Sequence, residues 1–525
     1  MPDNSIPENN VPVRRPSRFR QFGLRTLLVL VAVAAVGCLL VRNEVVREER
    51  REKLIAELEQ NDKNWIMPFD PRFRPPPRLW REPIAAWLRG KPMVMPKCEV
   101  SFAEGTSLAQ IREFLDLFPS VEQVEFRGAD VTTEVLELLA SHGPFKSIEF
   151  TNPLAIDQDT ARRIAQIRCD EVQFDNQAFS DASLKLLVDA GVTFRFGSFG
   201  AETWRNISDE GLKIVARSPG FTAVHAGCLG TDEGVRALAG HPKINTLLLT
   251  GRNYTDATAD VFASLPRLHL VGFTGTSHTD AGLAKAISGG NPAYVMLHNV
   301  AAGEETFAAL AQDTKLIGLD LRGIDLSLAQ CDILAKLPLQ QLSICSESLS
   351  DEKVMRLAPL ATSMWSLTLD TPQVTDAGLA WLKRAKGLQA LWLHNTHATT
   401  TTWLSLSPPQ HFTTGIGSTK VDTETIASIL KAFRSLQIYL SGSQIDDAAL
   451  ELLPPGAGMV VLVDTRVTLD GLKKLAIRGD VDYINVVRDS DPASVLTAAD
   501  VKQAQMAAGK GVTISFQDAS MARCE

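Results

Sequence analysis

Residues 374–396 read VTDAGLAWLKRAKGLQALWLHNT and contain one whole structural unit. Thr375-Asp376 is a helix start, because a hydroxyl or carboxylate oxygen at that point accepts from the free backbone N–H groups of the first turn. Leu379, Leu382 and Leu388 mark an apolar helix face. Leu391-Trp392-Leu393 alternates as a short half-buried strand does, and a polar turn follows.

The same grammar recurs along the chain. Clear copies are Ile207-Ser-Asp-Glu-Gly-Leu212, His278-Thr-Asp-Ala-Gly-Leu283, Leu349-Ser-Asp-Glu-Lys-Val354 and Ile445-Asp-Asp-Ala-Ala-Leu450. Marked at the central residue of each copy, they fall at 133, 158, 181, 209, 232, 256, 280, 304, 326, 351, 376, 400, 423, 447 and 469, with Gln158, Glu304, Leu326, Thr400, Thr423 and Leu469 placed by spacing alone. These 15 marks span 336 residues in 14 steps, a mean of 24. Predicted strand pairs include Val124/Phe126, Val271/Phe273, Ile317/Leu319, Leu367/Leu369 and Ile484/Val486. One helix and one strand cannot close a core alone. Stacked units bury one apolar face against the next, which predicts an α/β solenoid with a parallel sheet on one side and helices on the other. Val100/Phe102 with a helix over 108–118 begins the stack, and Val512/Ile514/Phe516 ends it.

The pattern Leu388-x-x-Leu391-x-Leu393-x-x-Thr396 resembles the leucine-rich repeat, and its helix-bearing, 24-residue form resembles the ribonuclease-inhibitor-like class. The resemblance implies a horseshoe with the sheet on the concave face and the helices on the convex face. One departure is that the family's usual Asn or Cys after the strand is replaced by Thr396, Thr276 or Gly323. The ladder such an Asn bridges is therefore expected to be looser or differently bonded.

Outside the repeats, residues 26–41 are uncharged and almost wholly apolar (TLLVLVAVAAVGCLLV), and with Phe22 to Arg25 they reach the ~20 residues a bilayer needs. Five arginines precede position 26 against Asp3 and Glu8, so 1–41 carries +3 and the remainder -11. The cationic excess predicts a cytoplasmic N-terminus with the repeats periplasmic or extracellular. An uncleaved signal anchor competes here with a cleaved signal peptide and with a lipoprotein signal at Cys38. The apolar run through Leu39, Leu40 and Val41 favours the anchor. With that start, the whole chain resembles membrane-anchored bacterial leucine-rich-repeat proteins. The expected organisation is a basic tail (1–21), the anchor (22–41) and a juxtamembrane helix (42–63). A Pro/Trp-rich linker and N-terminal cap (64–97), the repeats (98–517) and a tail (518–525) follow.

Composition narrows the function. The chain has 525 residues, 45% hydrophobic and 22% charged, which excludes a disordered polymer. A formal charge of -8 gives no reason to expect nucleic acid. Seven cysteines without CxxC spacing support neither a zinc site nor a disulfide framework. His298 and His394 lie four repeats apart, about 19 Å at ~4.8 Å per strand, too far to share a metal. The HxxH of His394 and His397 has no carboxylate at ligand spacing. Gly415–Lys420 resembles a phosphate loop but lacks its Gly-Lys-Ser/Thr ending. No cofactor is expected.

Alternate strand residues point away from the helices. That column runs from Glu125 and Arg127 to Val461, and its candidate binding surface is Tyr294, Met296, His298, Asp320, Thr368, Asp370, Trp392, His394 and Tyr439. Aromatic groups beside charges are what protein-binding hot spots use, though the same residues could pack on each other across strands. The leading expectation is a non-enzymatic interaction module for a protein or cell-envelope polymer. Alternatives are an architectural, self-associating envelope protein and an intracellular adaptor if the topology is reversed. An enzyme assembled around His298, Asp320 and Asp370, and substrate selection for a ubiquitin ligase, are weaker readings.

Overall fold

The computed structural model describes residues 51–58, 65–68, 98–119, 121–127, 130–151, 155–174, 178–196, 206–218, 220–406, 413–417, 437–441, 445–453, 458–479, 481–488, 496–508 and 512–518, with isolated positions between 31 and 50. The chain divides into two units, Met1–Glu57 with Arg72–Met95, and Leu58–Pro71 with Pro96–Glu525. Residues 51–58 are helical. The anchor expected at 22–41 lies, isolated positions apart, outside the described residues. No helix among the described residues is long and apolar enough to cross a membrane.

The second unit is an α/β solenoid. Its first sheet joins β1 (Trp65–Pro68), β2 (Cys98–Ala103), β3 (Val121–Arg127), β4 (Phe145–Phe150), β6 (Cys169–Phe174) and β8 (Phe194–Phe196) in that order, and β5 (Ala155–Ile156) pairs with β7 (Ala178–Phe179) beside it. The second sheet has 13 parallel strands in chain order. They are β9 (Ala223–Ala226), β10 (Thr246–Thr250), β11 (Leu270–Thr274), β12 (Tyr294–His298), β13 (Gly318–Arg322), β14 (Gln341–Cys345), β15 (Ser366–Asp370), β16 (Ala390–His394), β17 (Thr413–Gly417), β18 (Gln437–Ser441), β19 (Met459–Val463), β20 (Tyr483–Arg488) and β21 (Thr513–Asp518). Only β1 runs antiparallel among the described neighbours, against β2.

Register explains the core. Strands β2–β4, β6, β9–β16 and β18–β20 each turn two apolar residues toward the helices, and residues in one rank pair with their counterparts in the next strand. Phe102, Phe126, Phe150 and Phe174 form such a rank, and Phe150 lies 5.6 Å and 5.7 Å from its two neighbours, ring centre to ring centre. Leu249, Phe273, Leu297, Leu321, Ile344, Leu369 and Leu393 form the rank in the second sheet, each at most 1% exposed. Burying each such side chain stabilises by about 1.5–3 kcal/mol.

Two strands differ from expectation. The inward pair of β13 is Leu319/Leu321, one step later than Ile317/Leu319. Thr413–Gly417 is a strand in register with both neighbours, so the phosphate-loop likeness begins inside the sheet. After the strands, the chain turns through left-handed residues Gly251, Gly275, Asn299, Gly323 and Asn395, a region open to Gly and tolerable for Asn. The N–H groups of Gly251, Gly275, Asn299 and Gly323 donate to the last carbonyl of the next strand at 2.8–3.0 Å. A backbone ladder thus does the bridging that the missing Asn side chains were expected to loosen.

The helix starts carry a second ladder. The Thr or Ser caps its own helix in most repeats, as Thr279 does by accepting from the Gly282 N–H at 3.1 Å, whereas Ser350 makes no such bond. The Asp beside the cap, expected to share that task, reaches instead to the cap residue of the next repeat. Asp209 accepts from the N–H and hydroxyl of Thr231, each at 2.7 Å. Asp232 binds Thr255, Asp256 binds Thr279, Asp351 binds Thr375 and Asp447 binds Thr468 in the same two-pronged way, at 2.6–2.8 Å. Asp181 with Ser208 and Asp376 with Thr399 repeat it. Asp280 meets Gly303, which has no side chain, and so caps the next helix itself through the N–H groups of Gly303, Glu305 and Thr306.

The third helical residue fits this arrangement. Where an Asp arrives from the preceding repeat, that residue is Gly211, Gly234, Thr258, Gly282, Thr306, Gly378, Thr402 or Gly471. A Cβ at Gly282 or Gly378 would run into Asp256 or Asp351. Thr306 and Thr402 instead add a hydroxyl donor to the incoming carboxylate. Where the preceding repeat offers Gln158, Glu304 or Leu469, the helix closes its own capping box, Ser180 with Ser183, Ser327 with Gln330 and Thr497 with Asp500.

Gly282→Ala decides between two signs. Helix propensity alone predicts a gain of up to about 1 kcal/mol, whereas displacement of Asp256 from Thr279 predicts a net loss of about 1–2 kcal/mol. Urea unfolding is expected to show the loss, and a variant as stable as the parent would remove the steric account.

Candidate functional site

The outward positions of the second sheet form three rows set by the parallel register. The middle row runs Met296, Asp320, Ser343, Thr368, Trp392, Gly415 and Tyr439. The row toward the strand ends runs His298, Arg322, Cys345, Asp370 and His394. The row toward the strand starts runs Leu270, Tyr294, Gly318, Gln341, Ser366 and Ala390. All nine expected residues therefore occupy outward positions of β12–β18. The side chain of Tyr439 lies outside the described residues. Val461, expected in the same column, is buried at 2% exposure.

The expected packing of large side chains across strands occurs at Tyr294. The Tyr294 ring leans over Gly318, where a Cβ would collide with it, and stands edge-on to His269 at 5.2 Å. Tyr294 is thus partly absorbed by its neighbours across the strands. Gly318, Ser343, Ser366 and Thr368 leave the floor beside it low, and with Tyr294, Met296 and Asp320 they bound a recess of about 240 Å³. Met296 and Trp392 are half-buried.

A polar cluster lies toward the strand ends. His298 Nε2 is 3.0 Å from Asp320 Oδ2, and Arg322 donates to both Asp320 oxygens at 3.3 and 3.2 Å. Burial alone would raise the Asp320 carboxyl, but the His298 hydrogen bond and the Arg322 charge outweigh it and hold it at about 2. Two strands on, Asp370 accepts from Asn395 Nδ2 at 2.6 Å and faces the Cys345 thiol at 3.5 Å. Burial and the Asp370 charge push that thiol up to about 11. His394 is pushed down by burial, against the pull of Asp370. A broader depression of about 790 Å³ adjoins this cluster, lined by Asn299, Arg322, Asp325, Glu347, Asp370 and Asn395 among others.

His298 and Asp320 therefore meet, while Asp370 belongs to a separate pair of contacts. His298 and His394 stand on β12 and β16, with three strands between them. Among the described residues no three His, Cys, Asp or Glu side chains converge where they could hold a metal ion. Arg322 and Asn395 were missed in the sequence. The early placement of the β13 strand put Arg322 beyond its last outward position, and Asn395 follows its strand as a turn residue.

No protein-family model and no curated protein sequence matches the chain. Solved structures similar to it include the crystal structure of the TLR13–ssRNA13 complex, at 11% identity and TM-score 0.36, over 79% of this chain and 58% of that one. An internalin, inlF, from Listeria monocytogenes str. 4b F2365 matches at 16% identity and TM-score 0.30, over 65% of this chain and 94% of its own. The Toll–Spatzle complex from Drosophila matches at 9% identity and TM-score 0.28, over 75% of this chain and 64% of that one. The chain thus spans less than two thirds of the TLR13 and Toll chains it matches.

The Asp320 contacts give a pH-dependent expectation. Its carboxyl sits near 2 instead of 3.8, so its stabilisation is present above pH ~4 and is lost as pH falls toward 2. Asp320→Asn is expected to cost about 2 kcal/mol at pH 7 and progressively less below pH 4, by urea titration at each pH. An equal cost at both ends of that range would show that the ion pair is not its source.

Proposed function

We propose that this chain is a leucine-rich-repeat interaction module that binds a protein partner on the outward face of β12–β18 and performs no catalysis. The observation that carries the reading is the low floor of Gly318, Ser343, Ser366 and Thr368, set between Tyr294 and Met296 on one side and the Trp392 position on the other. A surface that alternates recess and bulky side chain is suited to receive protruding side chains of a partner. The polar cluster supports a non-catalytic role. Asp320 is engaged by His298 and Arg322, and a thiol held near 11 supplies little thiolate at neutral pH.

We further propose display outside the cytoplasmic membrane by the apolar segment 22–41, on the strength of its length and the arginines before it. The acidic balance of the remaining chain is in keeping with a protein partner and offers nothing to a nucleic-acid backbone.

Two measurements test this. A photo-crosslinking residue at position 368 is expected to capture a partner protein. Trp392→Ala should then weaken its binding by about 30-fold or more, as hot-spot truncation does, while Lys285→Ala on the helix side leaves it unchanged. Equal effects from the two variants would move the interface off the sheet. Protease treatment of intact spheroplasts should digest the repeats and leave a membrane-bound fragment. Protected repeats would reverse the topology.

A further inference from the structure

Strand β21 ends the second sheet among the described residues, and its outer edge meets a side chain with the geometry of a missing strand. In a parallel ladder one residue uses both its N–H and its C=O toward the same neighbour, and the residues flanking it turn theirs the other way. Thr513 faces β20, where its N–H donates to the Asp482 carbonyl at 3.0 Å. The Val512 carbonyl and the Ile514 N–H therefore point to the outer side. Gln505, on the helix Ala498–Ala507, takes both. Its Nε2 donates to Val512 O at 3.0 Å, and its Oε1 accepts from Ile514 N–H at 2.5 Å. A primary amide in this place supplies the one donor and one acceptor that a residue of a following parallel strand would supply.

We propose that Gln505 is an edge cap that keeps β21 from pairing with the same strand of a second copy of this chain. The strand itself carries little other protection. Its sequence, Thr513-Ile-Ser-Phe-Gln-Asp518, has high strand propensity and holds no proline and no lysine, the residues that usually blunt an exposed edge. A second copy is the occupant that fits, because identical edges present the same donors and acceptors and pair without requiring any particular side chain. The first sheet has its start closed differently, by the antiparallel strand β1 along β2.

The test is Gln505→Leu in the full chain, kept in detergent micelles. Hydrogen exchange of the Ile514 amide is expected to accelerate about tenfold on loss of its acceptor. Sedimentation velocity should show the parent as a monomer at about 50 µM and the variant as a concentration-dependent dimer. Adding Thr513→Lys to Gln505→Leu places like charges on the two edges and should restore the monomer. This second variant separates edge pairing from a general loss of structure. Unchanged exchange at Ile514 would overturn the cap. So would faster exchange in a chain that stays monomeric, or a dimer indifferent to Thr513→Lys.

Discussion

The structure depends on a carboxylate that serves its neighbour before its own helix. In all but one of the linked pairs of repeats described, an Asp at the first helical position accepts from the N–H and hydroxyl of the next repeat's cap residue, and Asp280 takes the N–H of Gly303 instead. The cap hydroxyl, donating its proton to that Asp, still has lone pairs for the N–H groups of its own first turn. One chain of hydrogen bonds thus ties the helix starts of successive repeats. It runs roughly parallel to the backbone ladder of the sheet, so the repeats linked by an Asp are held to the next at two levels. Burial raises and hydrogen bonding lowers the carboxyls of Asp280 and Asp376, and the hydrogen bonds win.

This constraint has consequences for sequence and for function. It demands a small or hydroxyl-bearing residue at the third helical position of the receiving repeat, which is why the Thr-Asp-x-Gly-Leu pattern contains a glycine in a helix that would otherwise prefer alanine. With the helix starts and the inward ranks fixed, the outward residues of the strands are free of any packing duty beyond their lateral neighbours. There the repeats diverge most, from Gly318 to Tyr294 to Trp392 in the space of five strands. Surface variety on a repeated frame is what an interaction module requires.

The frame was legible in the sequence because its signals recur at 24-residue spacing, so weak copies are placed by strong ones. The hydroxyl caps were legible for the same reason. The role of the Asp was not, because an acidic residue in a first turn already suits the helix dipole and one repeat read alone gives no cause to look further. Comparing the third helical residue of one repeat with the first of the repeat before exposes the rule. Strand β17 was hidden by Gly415 and Gly417, which read as a loop. It forms because β16 and β18 pair with its backbone on both sides. In the site, the alternation of the strands placed Tyr294, Met296, His298 and Asp320 on one face correctly. The engagement of Asp320 by Arg322 depends on a one-step strand register that apolar pairs alone left open.

The account rests most directly on the coupling between one repeat's Asp and the next repeat's cap. A double-mutant cycle with Asp256→Ala and Thr279→Ala, measured by urea unfolding at pH 7, isolates it. The predicted coupling is about 1 kcal/mol or more, the double variant losing less than the sum of the single ones. Losses that add to within about 0.3 kcal/mol would mean that the two residues act independently, and that the inter-repeat ladder does not hold the stack together.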